Sequence, residues 1–122
     1  MSASSSFGYS SDVEGGRRQG VRKLLRRPAD LVLPDRKTVE VRLHDLRMNG
    51  VAVVAPLNLR QAFLCEVKFR LPWSRGGHGA VAARAKVAHS ILSSRQGGFL
   101  IGLDFIDIDE GSLGAISRYM SA

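Results

Sequence analysis

The sequence predicts a mainly β protein: a six-stranded antiparallel β-barrel followed by a short C-terminal α-helix. Three observations lead there. Apolar and polar residues alternate with a period of two through successive short segments, turn-forming residues separate those segments, and only the last stretch changes to helical spacing. The 122 residues, 44% of them hydrophobic, are enough for one packed domain and too few for two.

Residues 1–20 are dominated by Ser and Gly with few large apolar groups. Such a segment cannot bury enough surface to offset ordering, so a flexible tail is expected there and the domain is expected over 21–122. The basic stretch 21–27 (VRKLLRR) opens the domain as an arm, and Pro28 steers Arg27 towards extended geometry. Ala29 to Leu33 is the first strand. Pro34-Asp35-Arg36-Lys37 has turn chemistry, because proline presets its own φ and aspartate bonds its local backbone. Val39, Val41 and Leu43 alternate with Thr38, Glu40, Arg42 and His44 in the second strand, half-buried. The turn DLRMNG (45–50) leads to an apolar third strand, Val51 to Ala55, ended by Pro56.

In the fourth strand Phe63, Cys65, Val67, Phe69 and Leu71 share a face, and Pro72 closes it. Trp73 to Gly79 reads as a loop, with Trp73 either facing a partner or capping the barrel edge. Val81, Ala83, Ala85 and Val87 define the fifth strand, continuing towards Ile91; Gln96-Gly97-Gly98 turns the chain, and Phe99, Ile101, Leu103 and Phe105 define the sixth. Leu113, Ile116 and Met120 then follow helical spacing, with Asp109 or Ser112 as the cap.

No apolar run approaches the ~18 residues of a membrane span, so no membrane insertion is expected. The N-terminus has no apolar stretch after a basic start, so no secretory signal is expected either. The single cysteine, Cys65, cannot form an internal disulfide and points to a reducing compartment, the cytoplasm. Eighteen Lys+Arg against 11 Asp+Glu give a formal charge of +7, which favours an anionic partner. The charge is uneven: Arg17, Arg18, Arg22, Lys23, Arg26 and Arg27 crowd together, while Asp104, Asp107, Asp109 and Glu110 lie near the other end.

Pairing the first two strands across 34–37 brings the arginine arm to the DLRMNG turn, with Arg26 and Arg27 beside His44 and Asp45. Such a corner combines guanidinium groups, a carboxylate and a glycine turn. Arginine forks suit phosphate and stack on bases, and a carboxylate complements the guanine edge that carries N1–H and the exocyclic amine. A guanine nucleotide fits this mixture better than bare polyphosphate. A solvated basic tail beside an ordinary β-turn fits the same residues equally well.

The motifs resemble those of the PilZ domain family, an R-x-x-x-R arm and a [D/N]-x-S-x-x-G turn separated by a strand hairpin. Arg22-Lys23-Leu24-Leu25-Arg26 matches the arm; Asp45-Leu46-Arg47-Met48-Asn49-Gly50 matches the turn at Asp45 and Gly50, with Arg47 in place of serine. GFLIGLDFIDID at 98–109 is similar to the family's last strand, so the resemblance covers residues 21–121. It implies a six-stranded barrel that binds the bacterial second messenger cyclic di-GMP, often as a stacked dimer, with no further cofactor. Carried over, Arg22 and Arg26 hold phosphates and guanines, Asp45 takes the guanine edge, and Gly50 leaves room for the ligand. Arg27 is an added candidate should the arm slip by one residue. Arg47 either reaches a phosphate or fills the pocket, and Asn49 in the same turn is a further ligand-binding candidate. The expected output is a protein effector, in signalling that governs motility or biofilm. The alternative is a nucleotide-independent adaptor, for instance in pilus or motility machinery.

Catalysis and metal binding find little support. Cys65 lies on an apolar strand face, where packing is its expected role. His44, His78 and His89 have no metal-ligand spacing. His44 ends the second strand, within reach of the ligand site, but is expected as a surface histidine, and Asp104, Asp107 and Asp109 are expected on a solvated strand face. Nucleic acid is not an expected partner, because the phenylalanines fall on the inward side.

Overall fold

A computed structural model describes residues 21–122; the tail expected over 1–20 lies outside the described residues. Seven strands and one helix follow in order: β1 (Lys23–Leu24), β2 (Pro28–Val32), β3 (Thr38–Arg47), β4 (Gly50–Ala55), β5 (Leu64–Pro72), β6 (His78–Ser93), β7 (Gly98–Ile108) and α1 (Glu110–Ser121). All neighbouring strands are antiparallel, in the order β1-β3-β2-β5-β6-β7-β4, and pairing of β3 with β4 closes β2 to β7 into a six-stranded barrel. β1 is a seventh, two-residue strand outside that barrel, laid along β3.

Alternation becomes packing. Leu31, Leu43, Leu46, Val51, Val53, Val67, Leu71, Ile101 and Leu103 point inward and are essentially inaccessible to water. Fully burying side chains of this size stabilises by roughly 1.5–3 kcal/mol each. Cys65 belongs to the same core, where burial pushes its thiol pKa up to about 11, so it packs as a small apolar group. Helix α1 begins where Asp109 Oδ1 accepts the Ser112 N–H (2.7 Å). Of the two cap candidates Asp109 is therefore the cap. Ser112 Oγ instead accepts the Ala82 N–H (3.0 Å), tying α1 to β6.

The strands run further than alternation suggested. β3 continues through Arg47, so the DLRMNG segment is mostly strand and only Met48 and Asn49 turn the chain. β6 starts at His78 within the expected loop, and β7 reaches Ile108. Trp73 is a cap: it packs over Gly79, with the Arg118 guanidinium 4.1 Å from its ring centre. Among the described residues, no helix is long and apolar enough to cross a membrane.

Candidate functional site

The arm and the acidic turn meet. Lys23 pairs with Leu46 and Leu24 with Asp45; the Leu25 N–H donates to the His44 carbonyl (3.1 Å), and the Leu43 N–H to that of Arg27 (2.7 Å). Between these pairs and the Pro28–Arg42 pair the arm carries one residue more than straight counting allows, so Leu24 and Leu25, rather than the expected Arg26 and Arg27, stand beside Asp45 and His44. The parity along the arm is unaffected. Lys23 and Leu25 turn inward, whereas Arg22, Leu24 and Arg26 are exposed on the side that Asp45 faces. Arg27, the slipped alternative, is half-buried.

Lys23 does something else. Its Nζ donates to the carbonyls of Tyr119 (2.9 Å) and Ala122 (3.1 Å) and lies 4.8 Å from the centre of the Tyr119 ring. A cation at the carbonyl end of a helix is stabilising there. The R-x-x-x-R segment is thus fastened to the end of α1 through its second residue.

On β3 a bulge at His44 re-aims the chain: Leu43 and Leu46 enter the core, while Asp45 and Arg47 face outward. Both are nevertheless buried, at 2% and 6% exposure. His44, expected at the surface, is half-buried, with Nδ1 2.7 Å from Asp45 Oδ2. Asp45 Oδ1 is buried with no hydrogen-bond partner among the described residues. A carboxylate oxygen in that position calls for a donor.

The register extends this outer face over the barrel. Asp45, Ala52, Gly102 and His89 form one row across β3, β4, β7 and β6; Arg47, Gly50, Asp104 and Lys86 form the next. One residue beyond the β1 pairs, Arg22 falls opposite Arg47. Asp104 is therefore not part of a solvated strand face, as expected of it, but half-buried beside Arg47. Burial pushes its carboxyl above the ordinary value, opposed by the charges of Arg47, Lys86 and His89. Asp107 is exposed as expected, and Asp109 is the helix cap.

Two turn residues, both ligand-binding candidates, also have tasks within the fold. Asn49 is exposed, and its carbonyl accepts the Phe105 N–H (3.0 Å), locking the turn to β7. Gly50 is a paired strand residue, and a Cβ there would overlap the carbonyl oxygen of Leu103. Its first requirement is close approach of β4 to β7. Beyond the arm, a groove lined by Arg26, Arg27, Arg42, Val54, Pro56 and Gly97 continues the basic side of the face. Arg42 at its edge donates to the Gln96 carbonyl (3.0 Å).

Sequence reasoning missed Arg42, His89 and Asp104 at this face. Outward parity on neighbouring strands was the available signal for Arg42 and Asp104. For His89 that signal failed, because a register shift between Val87 and His89 turns outward a residue whose parity reads inward.

A family model described as PilZ domain matches residues 16–122. No curated protein matches the chain. Among solved structures, the Bacillus subtilis inhibitor of motility (MotI/DgrA) is similar, with a TM-score of 0.72 at 16% identity over 83% of this chain. The chain spans about half that structure, 48% of its length, and at this identity the likeness is one of fold.

Proposed function

The chain belongs to the PilZ domain family, and on that footing we propose that it is a receptor module for cyclic di-GMP that passes the signal to a protein partner. The observation that carries this reading is the register Leu24–Asp45, which sets the outward arginines of the arm and a buried carboxylate on one face. Arg22 and Arg26 are the proposed phosphate and base ligands, because exposed guanidinium forks bind phosphate bidentately and stack on guanine. Asp45 is proposed to take the N1–H and amine edge of one guanine. Arg27, Arg47 and Asn49 are secondary contacts, and Gly50 shapes the floor. The role is binding and relay, with no catalysis, in the cytoplasm.

Relay follows from Lys23. Ligand held by Arg22 and Arg26 acts on an arm in which Lys23, next to Arg22, fastens the end of α1, so the helix and the surface around it are the natural output. The motility role in the printed name of the similar Bacillus structure is compatible with such an output.

Isothermal titration with cyclic di-GMP tests the reading. Micromolar binding is expected in the wild type, and Arg22→Ala and Arg26→Ala should each weaken it by at least ten-fold, about 1.4 kcal/mol. Arg36→Ala, in the opposite hairpin, should leave it unchanged. A wild-type protein that gives no heat at tens of micromolar ligand would sink the proposal.

The burial of Arg47 favours a second reading, a nucleotide-independent adaptor, since a large charged side chain stands where the family has a small hydroxyl. Arg47→Ser separates the two. The receptor reading expects the wild type to bind already; binding gained only on substitution would mark the native domain as an adaptor.

A further inference from the structure

Along one row of the outer face the charges alternate in an order that neither motif contains. Arg47 on β3, Gly50 on β4, Asp104 on β7 and Lys86 on β6 pair in succession, and Arg22 falls opposite Arg47 on the arm side. The row thus runs cation, cation, glycine, carboxylate, cation. Like charges directly opposite one another on neighbouring strands are unfavourable, so Arg22 drives the Arg47 guanidinium away from the arm. On its other side Arg47 meets no side chain, because position 50 is glycine. Asp104 comes next, two strand spacings of about 4.8 Å from Arg47.

Burial agrees with that direction. Arg47 faces outward yet is 6% exposed, so its side chain runs along the sheet instead of standing off it. Outward-facing Ala52 is buried as well, which a long side chain laid beside it explains. Further across, the His89 imidazole already fills the place over Gly102, where a Cβ would lie 2.5 Å from its Cε1. The guanidinium is left with the space over Gly50, between the arm and Asp104. Burial pushes the Asp104 carboxyl above its ordinary value, and Arg47 is the foremost charge opposing that, ahead of Lys86 and His89. At His89 burial lowers the pKa, Asp104 opposes, Arg47 adds to the lowering and Asp45 opposes, so the Arg47 charge is felt as far as β6.

We propose that Asp104 holds the Arg47 guanidinium over Gly50 as its internal counter-anion, and that a phosphate of the nucleotide displaces this carboxylate to reach Arg47. The inference rests on the receptor reading above and adds regulation to the same site: the free domain carries its own competitor for the ligand. Where the family has a small hydroxyl, this chain has a cation already matched by an anion from β7. The exchange replaces carboxylate with phosphate at Arg47 and leaves Asp104 with Lys86, its direct partner on β6.

Cyclic di-GMP titration of wild-type, Asp104→Asn, Arg47→Ser and doubly substituted proteins tests the competition. Asp104→Asn removes the competitor and should bind about ten-fold more tightly than wild type, the low end of coupling between close charge pairs. In the Arg47→Ser background the same substitution should change affinity by less than about two-fold, which separates displacement at Arg47 from the general gain of one positive charge. A second measurement needs neither ligand nor the Asn variant. The side-chain carboxyl carbon resonance of Asp104, followed against pH in free wild-type and Arg47→Ser proteins, should titrate at higher pH once Arg47 is gone. Weaker binding by Asp104→Asn, an equal effect in both backgrounds, or a carboxyl midpoint unmoved by Arg47→Ser overturns the competition and leaves the receptor reading standing. If none of the four proteins binds, the receptor reading falls and the competition with it.

Discussion

Asp45→Ala is expected to weaken cyclic di-GMP binding by at least about 30-fold, while leaving the melting temperature of the free protein within about 2 °C of wild type. The two halves follow from the two carboxylate oxygens. Oδ2 is held by His44 at 2.7 Å; Oδ1 is buried and meets no donor among the described residues. An unmet polar atom in the interior costs about 1–3 kcal/mol, more for a charged group, so the free domain carries a local penalty that a guanine edge relieves with two N–H donors. Truncation removes that penalty from the free protein and the acceptor from the complex. Breaking a buried, charge-assisted pair costs about 2–5 kcal/mol in binding, or roughly 30- to several-thousand-fold. The half-buried His44 loses its partner, but water can take its place. Calorimetric titration and a thermal melt on the same samples decide the matter. Unchanged affinity would show that Asp45 is a structural partner of His44 and nothing more; a fall of many degrees with affinity retained would show the same from the other side.

Much of the barrel was legible because period-two alternation is a direct consequence of strand geometry, and each inward series, such as Cys65, Val67, Phe69 and Leu71, reappears in the core. The meeting of arm and turn was legible for a related reason: a short hairpin forces the residues flanking it into register. What escaped were the places where one residue breaks parity. The extra residue in the arm, which shifts register without changing the arm's own parity, put Leu24 rather than Arg26 or Arg27 beside Asp45. The bulge at His44 aimed Asp45 outward, and the shift before His89 brought that histidine to the same face. Bulges leave no mark in composition, since any residue can occupy one. Asp104 escaped differently: acidic residues in alternation look solvated until the barrel brings Arg47, two strands away across Gly50, into the same row. His44 likewise is half-buried, with its Nδ1 against Asp45 Oδ2.

The second large effect concerns Gly50, to which family resemblance assigns the task of leaving room for a ligand. Its neighbourhood argues for an earlier requirement. A Cβ at this position would overlap the Leu103 carbonyl oxygen and come within 3.4 Å of the Leu103 carbonyl carbon and 3.5 Å of the Asp104 Cα. All three are backbone atoms, which cannot rotate away as a flexible side chain would. Gly50 pairs with Arg47 on one side and Asp104 on the other, at the start of the strand through which β3 and β7 are joined and the barrel closed. Gly50→Ala must therefore push β4 and β7 apart, costing about 2–4 kcal/mol as overpacking. For a domain of about 100 residues that corresponds to a fall of roughly 10–20 °C in Tm. Any loss of nucleotide binding should then be accompanied by this loss of stability, because Arg47 and Asp104 shift with the strands that carry them. Circular-dichroism melts beside ligand titration below the transition separate the two roles. A Gly50→Ala protein that melts like the wild type yet fails to bind would return the glycine to the ligand; one that melts early places its necessity in barrel closure.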